Sequence, residues 1–439
     1  MKRKKVFLGW LGVLFLLLIT TLLYAGLRDN DPYRYYTGLG ENISIAPDDS
    51  EIAFSYYVDG KKSIYKANLD GSKVEEVTDE NDRKNHHPKY ARNGNQLVYL
   101  SEDQDGIQTL WRVNEDGSGW KQLTNRDLYV KEAISLDEKD AIYFVAMEAE
   151  EWKKGEESQE GFDLYTINPQ GEVRELTEGD YFAMDSLFVS PDGEDIYFSE
   201  FDGGKERIYS YSVDEEVVNE TPSLLPEEEH DHSFYNPQLS PDGKYLAYTE
   251  VTEESEESSL FEYELFLLDT EKGGSEQLTN FKKAVTSPEF FHTENKMAFM
   301  ENTNWPGSPA VHEIRTIDLT TKEIESIELD APESSVGYQL LQMMDRAVNI
   351  YTIASVYVLF LGLLSVYLHY YHSSKAYLPS IVSFSLAVAI FIFSILAVAI
   401  IGMNPWYGIG LAMLAAGIFI CSVIVVLFLW FYRRWARGK

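Results

Sequence analysis

The sequence has one cysteine, Cys421, so neither a disulfide framework nor a cysteine-based zinc site can be built. Acidic residues are missing from both ends: none occurs in residues 1–27 or 348–439. Nine basic residues do occur there, namely Lys2, Arg3, Lys4, Lys5, Lys375, Arg433, Arg434, Arg437 and Lys439. All 71 Asp and Glu therefore fall in the middle of the 439 residues, against 28 of the 37 Lys and Arg, a formal charge of −43 there and −34 for the chain. A surface that acidic repels phosphate backbones, which excludes nucleic acid as a partner. No Gly-x-Ser-x-Gly elbow, phosphate-binding glycine loop or EF-hand spacing is present either.

What the ends do have is apolar length. Val6 to Gly26, Ile350 to Tyr370, Leu378 to Ile401 and Tyr407 to Tyr432 each reach about the 20 residues that cross a hydrocarbon core. Residues 1–27 read as an uncleaved signal anchor: the apolar run is longer than that of a signal peptide, and Leu23 stands where a cleavage site wants a small residue. Short segments rich in Lys and Arg stay on the cytoplasmic side, so both termini and the loop bearing Lys375 are expected inside. The acidic middle is then extracytoplasmic, and the chain is a multi-pass protein of the plasma membrane. From Ile350 to Tyr432 the only ionisable groups of pump or channel type are His369, His372 and Lys375, all in the inner loop, so these helices read as an anchor rather than a transport path.

The middle repeats. An alternating triplet recurs six times, as Ile52-Ala53-Phe54, Leu97-Val98-Tyr99, Ile142-Tyr143-Phe144, Ile196-Tyr197-Phe198, Leu246-Ala247-Tyr248 and Met297-Ala298-Phe299. A second series follows each: Ile64-Tyr65, Leu110-Trp111, Leu164-Tyr165, Ile208-Tyr209, Leu265-Phe266 and a weaker Ile314-Arg315. Turns precede the triplets, clearest in Ser190-Pro191-Asp192-Gly193 and Ser240-Pro241-Asp242-Gly243 and degraded in Ala46-Pro47-Asp48-Asp49 and Ala91-Arg92-Asn93-Gly94. The third copy (Leu136-Asp137-Glu138) and the sixth (His292-Thr293-Glu294) have lost the turn. A closing strand ends in Val77-Thr78, Leu123-Thr124, Leu176-Thr177 and Leu278-Thr279. Each unit of about 45 residues thus reads as four strands, a to d, the blade of a propeller. The expected fold is an all-β six-bladed propeller with α-helical transmembrane segments, one N-terminal and three C-terminal.

These motifs resemble the propeller repeats of the TolB family, periplasmic proteins of the Tol-Pal envelope system, and related WD-like repeats. The likeness covers about residues 41–329 and implies a six-bladed propeller that binds protein rather than catalyses. Two departures limit it: the blades begin directly after the first apolar stretch, with no room for the separate N-terminal α/β domain of that family, and three apolar stretches follow them. The fold carries over; a Tol-Pal role does not. The expected organisation is an anchor at 1–27, a linker at 28–40, the propeller at 41–329, a linker at 330–349, three spans within 350–432 and a basic tail at 433–439.

In a four-stranded meander the b–c loops and d–a connections share one rim. Glu148 to Gly161, Val251 to Phe261 and Asn302 to Val311 are long b–c loops, and Glu220 to Ser233 is a long d–a connection, so the working surface is assigned to that rim. Trp152, Phe234, Tyr235 and Trp305, with the carboxylates of Glu150, Glu228 and Glu254, are its candidate contacts. The acidic loops read as solvated charge, with Ca²⁺ as the alternative. His86, His87, His230 and His232 are each placed just before a strand a, at the mouth of the central channel. They read as structural residues there; the alternative is a transition-metal site, as in propeller lyases that cleave uronate polymers. The recurring aromatics Tyr65, Trp111, Tyr165, Tyr209 and Phe266 read as core. The function expected is a non-catalytic, membrane-anchored module binding a protein or envelope component. A metal-dependent carbohydrate-active enzyme and a sensory ectodomain signalling through a membrane partner are the alternatives.

Overall fold

The computed structural model describes residues 2–78, 83–136, 141–226, 229–230 and 232–437. The chain divides into two compact units, Pro32–Ser335 and the pair of segments Met1–Asp31 with Val336–Lys439.

The first unit is built from strands. β1–β4 cover Gly38–Ile45, Glu51–Val58, Lys61–Asn68 and Glu75–Glu76; β5–β8 cover Lys84–Tyr90, Gln96–Glu102, Gln108–Asn114 and Lys121–Gln122. β9–β12 cover Leu128–Leu136, Ala141–Glu148, Asp163–Ile167 and Val173–Glu175; β13–β16 cover Asp185–Val189, Asp195–Asp202, Lys205–Ser212 and Val217–Asn219. β17–β20 cover Tyr235–Leu239, Tyr245–Val251, Tyr263–Asp269 and Ser275–Gln277; β21–β24 cover Ala284–Phe290, Lys296–Asn302, His312–Asp318 and Ile324–Ile327. The first four groups are separate four-stranded antiparallel sheets. The last two are not separate, as the repeat had suggested, but merge into one eight-stranded sheet through a parallel bridge from Tyr263 to Ala284. The link is local: beyond the end of β20, which pairs β19 at Phe266–Leu268, the Tyr263 N–H donates to the Lys283 carbonyl at 2.8 Å.

Both sequence series turn out to be one contact. The third triplet residue lies opposite the aromatic of strand c in five groups: Phe54 with Tyr65, Tyr99 with Trp111, Phe144 with Tyr165, Phe198 with Tyr209 and Tyr248 with Phe266. In the sixth, Arg315 faces Phe299 and its guanidinium bonds Glu301 instead. The closing threonine also has a physical role. Thr78, Thr124, Thr177 and Thr279 each accept, through Oγ1, the backbone N–H of Ile64, Leu110, Leu164 or Leu265 at 2.9–3.0 Å, a buried donor that would otherwise lack a partner where strand d ends.

Packing between groups is cyclic. Apolar clusters lie between the first and second groups, second and third, third and fourth, fourth and fifth, and fifth and sixth. A further cluster joins Ile43, Phe54 and Tyr65 of the first to Phe291, Ala298, Met300 and Ile314 of the sixth. The strands a contact one another in the same order, β1 against both β5 and β21. The degraded turns of the first and sixth groups are complementary at this seam. Asp49, at φ 55° where other copies place Gly, accepts from His292 N at 2.8 Å, Thr293 N at 2.7 Å and Thr293 Oγ1 at 2.6 Å. The turn of the third copy includes Asp137 and Glu138, which lie outside the described residues.

The second unit is helical: α1 (Lys2–Leu27), then, beyond the two short loop helices α2 (Ala149–Trp152) and α3 (Glu253–Glu256) of the strand unit, α4 (Val336–Ala347), α5 (Ile350–Tyr371), α6 (Leu378–Leu396) and α7 (Pro405–Arg437). Four segments, Lys4–Leu27, Ile350–Tyr371, Ser373–Ile401 and Pro405–Trp435, are long and apolar enough to cross a membrane. Phe7 and Phe15 of α1 meet Tyr367 and Phe360 of α5. A hydrogen-bonded chain of Tyr357 Oη, Ser383 Oγ and Ser422 Oγ, at 2.7 and 2.6 Å, ties α5, α6 and α7.

Two substitutions test these contacts. Asp49→Ala removes the bonds to His292 and Thr293 at the seam and is expected to cost about 1–3 kcal/mol, more than Asp192→Ala, whose carboxylate serves its own turn. Equal losses in denaturant unfolding of the full-length protein would deny the seam its role. Thr279→Val should cost a similar amount and Thr279→Ser much less; a valine variant that melts with the parent would assign the threonine to packing alone.

Candidate functional site

Strand a of each group carries a register shift against strand b. In five groups the extra residue adopts a left-handed backbone, with φ from 49 to 67°: Asn42, His87, Ser186, Asn236 and Ser287. A bulge of this kind turns a side chain away from the sheet ladder. All five line one cavity of about 390 Å³, which is bounded by the strands a of all six groups, by Tyr33, and by Trp305, Gly307, Ser308 and Ala310 of the last b–c loop.

Charges on the cavity wall are mostly paired. Lys89 bonds Glu289 from the opposite side of the seam. Lys131 holds Asp185 at 3.2 Å. Burial, and then the neighbouring Asp185 carboxylate, push the Glu132 carboxyl well above its ordinary value. For Asp185, burial would act the same way but is outweighed by Lys131, by the bond to Glu132 and by the Ser186 N–H, which hold it below the ordinary carboxylate range. The proton of this pair therefore sits on Glu132. Asn42 Oδ1, Asn302 Oδ1 and His312 Nδ1, on side chains of the same wall, have no hydrogen-bond partner among the described residues.

The four histidines do not converge. His86 and His87 lie within β5 rather than ahead of it, their Nδ1 atoms 2.6 Å apart, and only His87 reaches the cavity. Burial first, then the Lys62 charge, push His87 down to about 3 and hold His86 well below its ordinary value, so both rings are neutral. His230 and His232 precede β17: His230 Nε2 meets the Leu225 carbonyl at 3.2 Å, and His232 lies between Glu250 and Glu229 at 3.2 and 3.4 Å. Among the described residues no group of three or more His, Cys, Asp or Glu side chains is arranged to hold a metal ion.

The rim candidates also separate. Phe234 is not a surface contact: it is buried against Leu246 and Tyr248 between the fourth and fifth groups, because the residue entering strand a faces the neighbouring sheet. Tyr235 and Trp305 are brought together through Tyr263, which meets each edge-on at 5.5 and 6.4 Å. Trp305 Nε1 donates to the Phe261 carbonyl at 2.9 Å, joining the loops of the fifth and sixth groups. Trp152, on α2, stacks on Tyr129 at 4.3 Å and covers the Gly106 turn of the second group. Glu150 is exposed and paired with Lys153 at 2.8 Å, Glu254 is exposed beside Lys282 at 3.7 Å, and Glu228 lies outside the described residues.

Sequence reasoning missed two sets of residues. The first is the cavity wall apart from His87 and Trp305; a signal existed in the recurrence of His87-Pro88, Asn236-Pro237 and Ser287-Pro288 within strands a. The second is the exposed apolar residues Phe182 (79% exposed), Phe201, Leu260, Phe261 and Val311, all on b–c loops, d–a connections or the strand ends that lead into them. Nothing in the one-dimensional pattern distinguishes these from core aromatics.

The protonated Glu132 yields a test with a definite sign. A carboxyl whose folded value is raised stabilises the fold fully below its unfolded value of about 4.5, and that contribution is lost as pH rises through the folded value. Glu132→Gln keeps the neutral state at every pH. It should melt with the parent near pH 5 and above it near pH 9; parallel pH–stability curves would place the proton elsewhere.

The chain matches no protein-family model and no curated protein. Among solved structures it is similar to TolB from Acinetobacter baumannii, at 16% identity and a TM-score of 0.50 over 65% of this chain and 65% of that one. It is also similar to a putative TolB from Agrobacterium tumefaciens (19%, 0.42, 54% and 80%) and to an oligogalacturonate lyase from Vibrio parahaemolyticus (12%, 0.44, 63% and 89%). The chain spans just under two thirds of the length of the first, and of these three that overlay alone reaches 0.50, at an identity that speaks to fold and not to activity. The strand-rich unit has a TolB-like propeller fold.

Proposed function

We propose that this chain is a membrane-anchored, closed six-bladed propeller that binds a protein or another envelope component at the rim bearing its long loops, without catalysing a reaction. The concentration of long loops at one rim carries this reading: Glu148 to Gly161, Val251 to Phe261, Asn302 to Val311 and Glu220 to Ser233 all belong to it. Exposed apolar side chains occur at both rims, Phe182, Phe201, Leu260, Phe261 and Val311 at the b–c and d–a rim and Trp120, Val173, Val217 and Tyr245 at the opposite one, but only Leu260, Phe261 and Val311 stand on long loops. Aromatic and aliphatic groups of this kind, surrounded by charge, are what dominates many interfaces. Leu260 and Phe261 are further set in place by the bond from Trp305. Six blades are supported by the cyclic series of apolar clusters and by the Asp49 seam. Four apolar helices support anchoring, and the basic flanks Lys2 to Lys5 and Arg433 to Arg437 support cytoplasmic termini with the propeller outside the plasma membrane.

Photocrosslinking of the full-length protein in its native membrane tests the assignment. A benzophenone amino acid at position 260 or 261 should yield one defined adduct, and the same group at position 120 none. Identical adducts from both rims, or recovery unchanged by Leu260→Ser with Phe261→Ser, would overturn it.

A further inference from the structure

The helix α4 is the one long helix that is not a span. Val336, Leu340, Met343, Met344 and Ala347 recur at i, i+4, i+7, i+8 and i+11, within an arc of about 100°. Asp345, Gln342 and Arg346 occupy the other side together with Tyr338 and Leu341, and Gln339 lies at the flank. None of its residues is buried, and Val336, Leu340, Met343 and Met344 are 73, 58, 63 and 50% exposed. A stripe of four large apolar side chains in water is costly, and helices normally place such a stripe against a core.

What lies beside this stripe follows from how α4 is held. The chain does not run straight into the next span: Asn349 is extended, at φ −117° and ψ 174°, and its side chain caps α5 by accepting from Tyr351 N and Thr352 N at 3.0 Å. At the same level Tyr24 Oη donates to Asp345, and Arg28 Nη1 donates to the Val348 carbonyl at 3.0 Å, with Asp345 3.9 Å away. The last turn of α1 and the last turn of α4 are thus joined by charged groups at the point where two apolar spans end. Charge is expensive within hydrocarbon, so that level is the headgroup boundary. The helix of 12 residues, about 18 Å long, ends there, with a break that frees it from the axis of α5.

We infer that α4 is an interfacial helix that lies along the bilayer surface with Val336, Leu340, Met343 and Met344 sunk among lipid chains. The inference rests on reading the four apolar helices as spans. Lipid is the occupant because the helix is covalently fixed at the boundary between headgroup and acyl chain, where an amphipathic helix gains most by burying its apolar face. The two methionines suit a fluid neighbour, being unbranched and adaptable. Residues 336–347 act on this reading as a float that sets the depth at which the chain leaves the membrane.

The test uses the full-length protein with Cys421→Ser, in phosphatidylcholine nanodiscs, carrying one nitroxide at position 340, 343, 342 or 346, with position 391 of α6 as a reference for the spans. Collision with oxygen, which partitions into lipid, is compared with collision with a water-soluble nickel chelate. Labels at 340 and 343 should be severalfold richer in oxygen contacts than those at 342 and 346. Equal chelate access on both sides of the helix, with position 391 still shielded, would overturn the inference and leave the spanning reading intact. Chelate access at 391 would overturn the spanning reading itself. Dipolar broadening at 340 that disappears on dilution with unlabelled protein would name a second copy as the occupant and so also overturn it.

Discussion

The strand unit depends on apolar faces that no group of four strands can bury by itself. Each sheet is apolar on both sides near strands b and c, so Phe54, Tyr99, Phe144, Phe198 and Tyr248 are sheltered only when another group lies alongside. Stability in such an array comes from nearest-neighbour contact, and a first and a last group are left with bare faces unless they meet. Here they meet, through the cluster of Ile43, Phe54, Met300 and Ile314 and through the Asp49 carboxylate on the His292–Thr293 backbone. The two least regular turns of the repeat are therefore partners in one contact.

A second consequence concerns the middle of the array. The strands a converge, and five of the six take a bulge that turns a short polar or imidazole group inward. This produces a wall of paired charges, with Glu132 neutral beside Asp185, rather than a further apolar core. His87 belongs to this set by position: it stands where Asn42, Ser186, Asn236 and Ser287 stand, which accounts for a buried neutral histidine without a metal.

The helical unit follows a different rule. Acidic residues are excluded from residues 1–27 and 348–439, and side chains are held together by aromatic contacts and a serine–tyrosine chain instead of ion pairs. Among the described residues charged groups take part at the ends, where Arg28 pairs with Asp345 at one and Arg433 donates to the Ser373 carbonyl at the other.

Much of this was legible in one dimension. Strand period, the Ser-Pro-Asp-Gly turns and the apolar lengths are local properties, set by backbone geometry within a few residues, and they determined the groups of four strands, the loop lengths and the four apolar helices. The resemblance carried by those motifs extended to the fold. What lay beyond reach depends on residues far apart in the chain. Phe234 and Phe182 read alike as aromatics near a strand a, yet one is buried against Tyr248 and the other is open to solvent. The four histidines read alike as residues at a strand a, yet His86 and His87 lie within β5, His230 and His232 lie ahead of β17, and the two groups are not neighbours, so among the described residues no imidazole cluster forms. The sequence by itself determined which elements exist and which are apolar; only the tertiary structure decided which of them face one another, because burial and charge pairing are properties of neighbours that sequence distance does not encode.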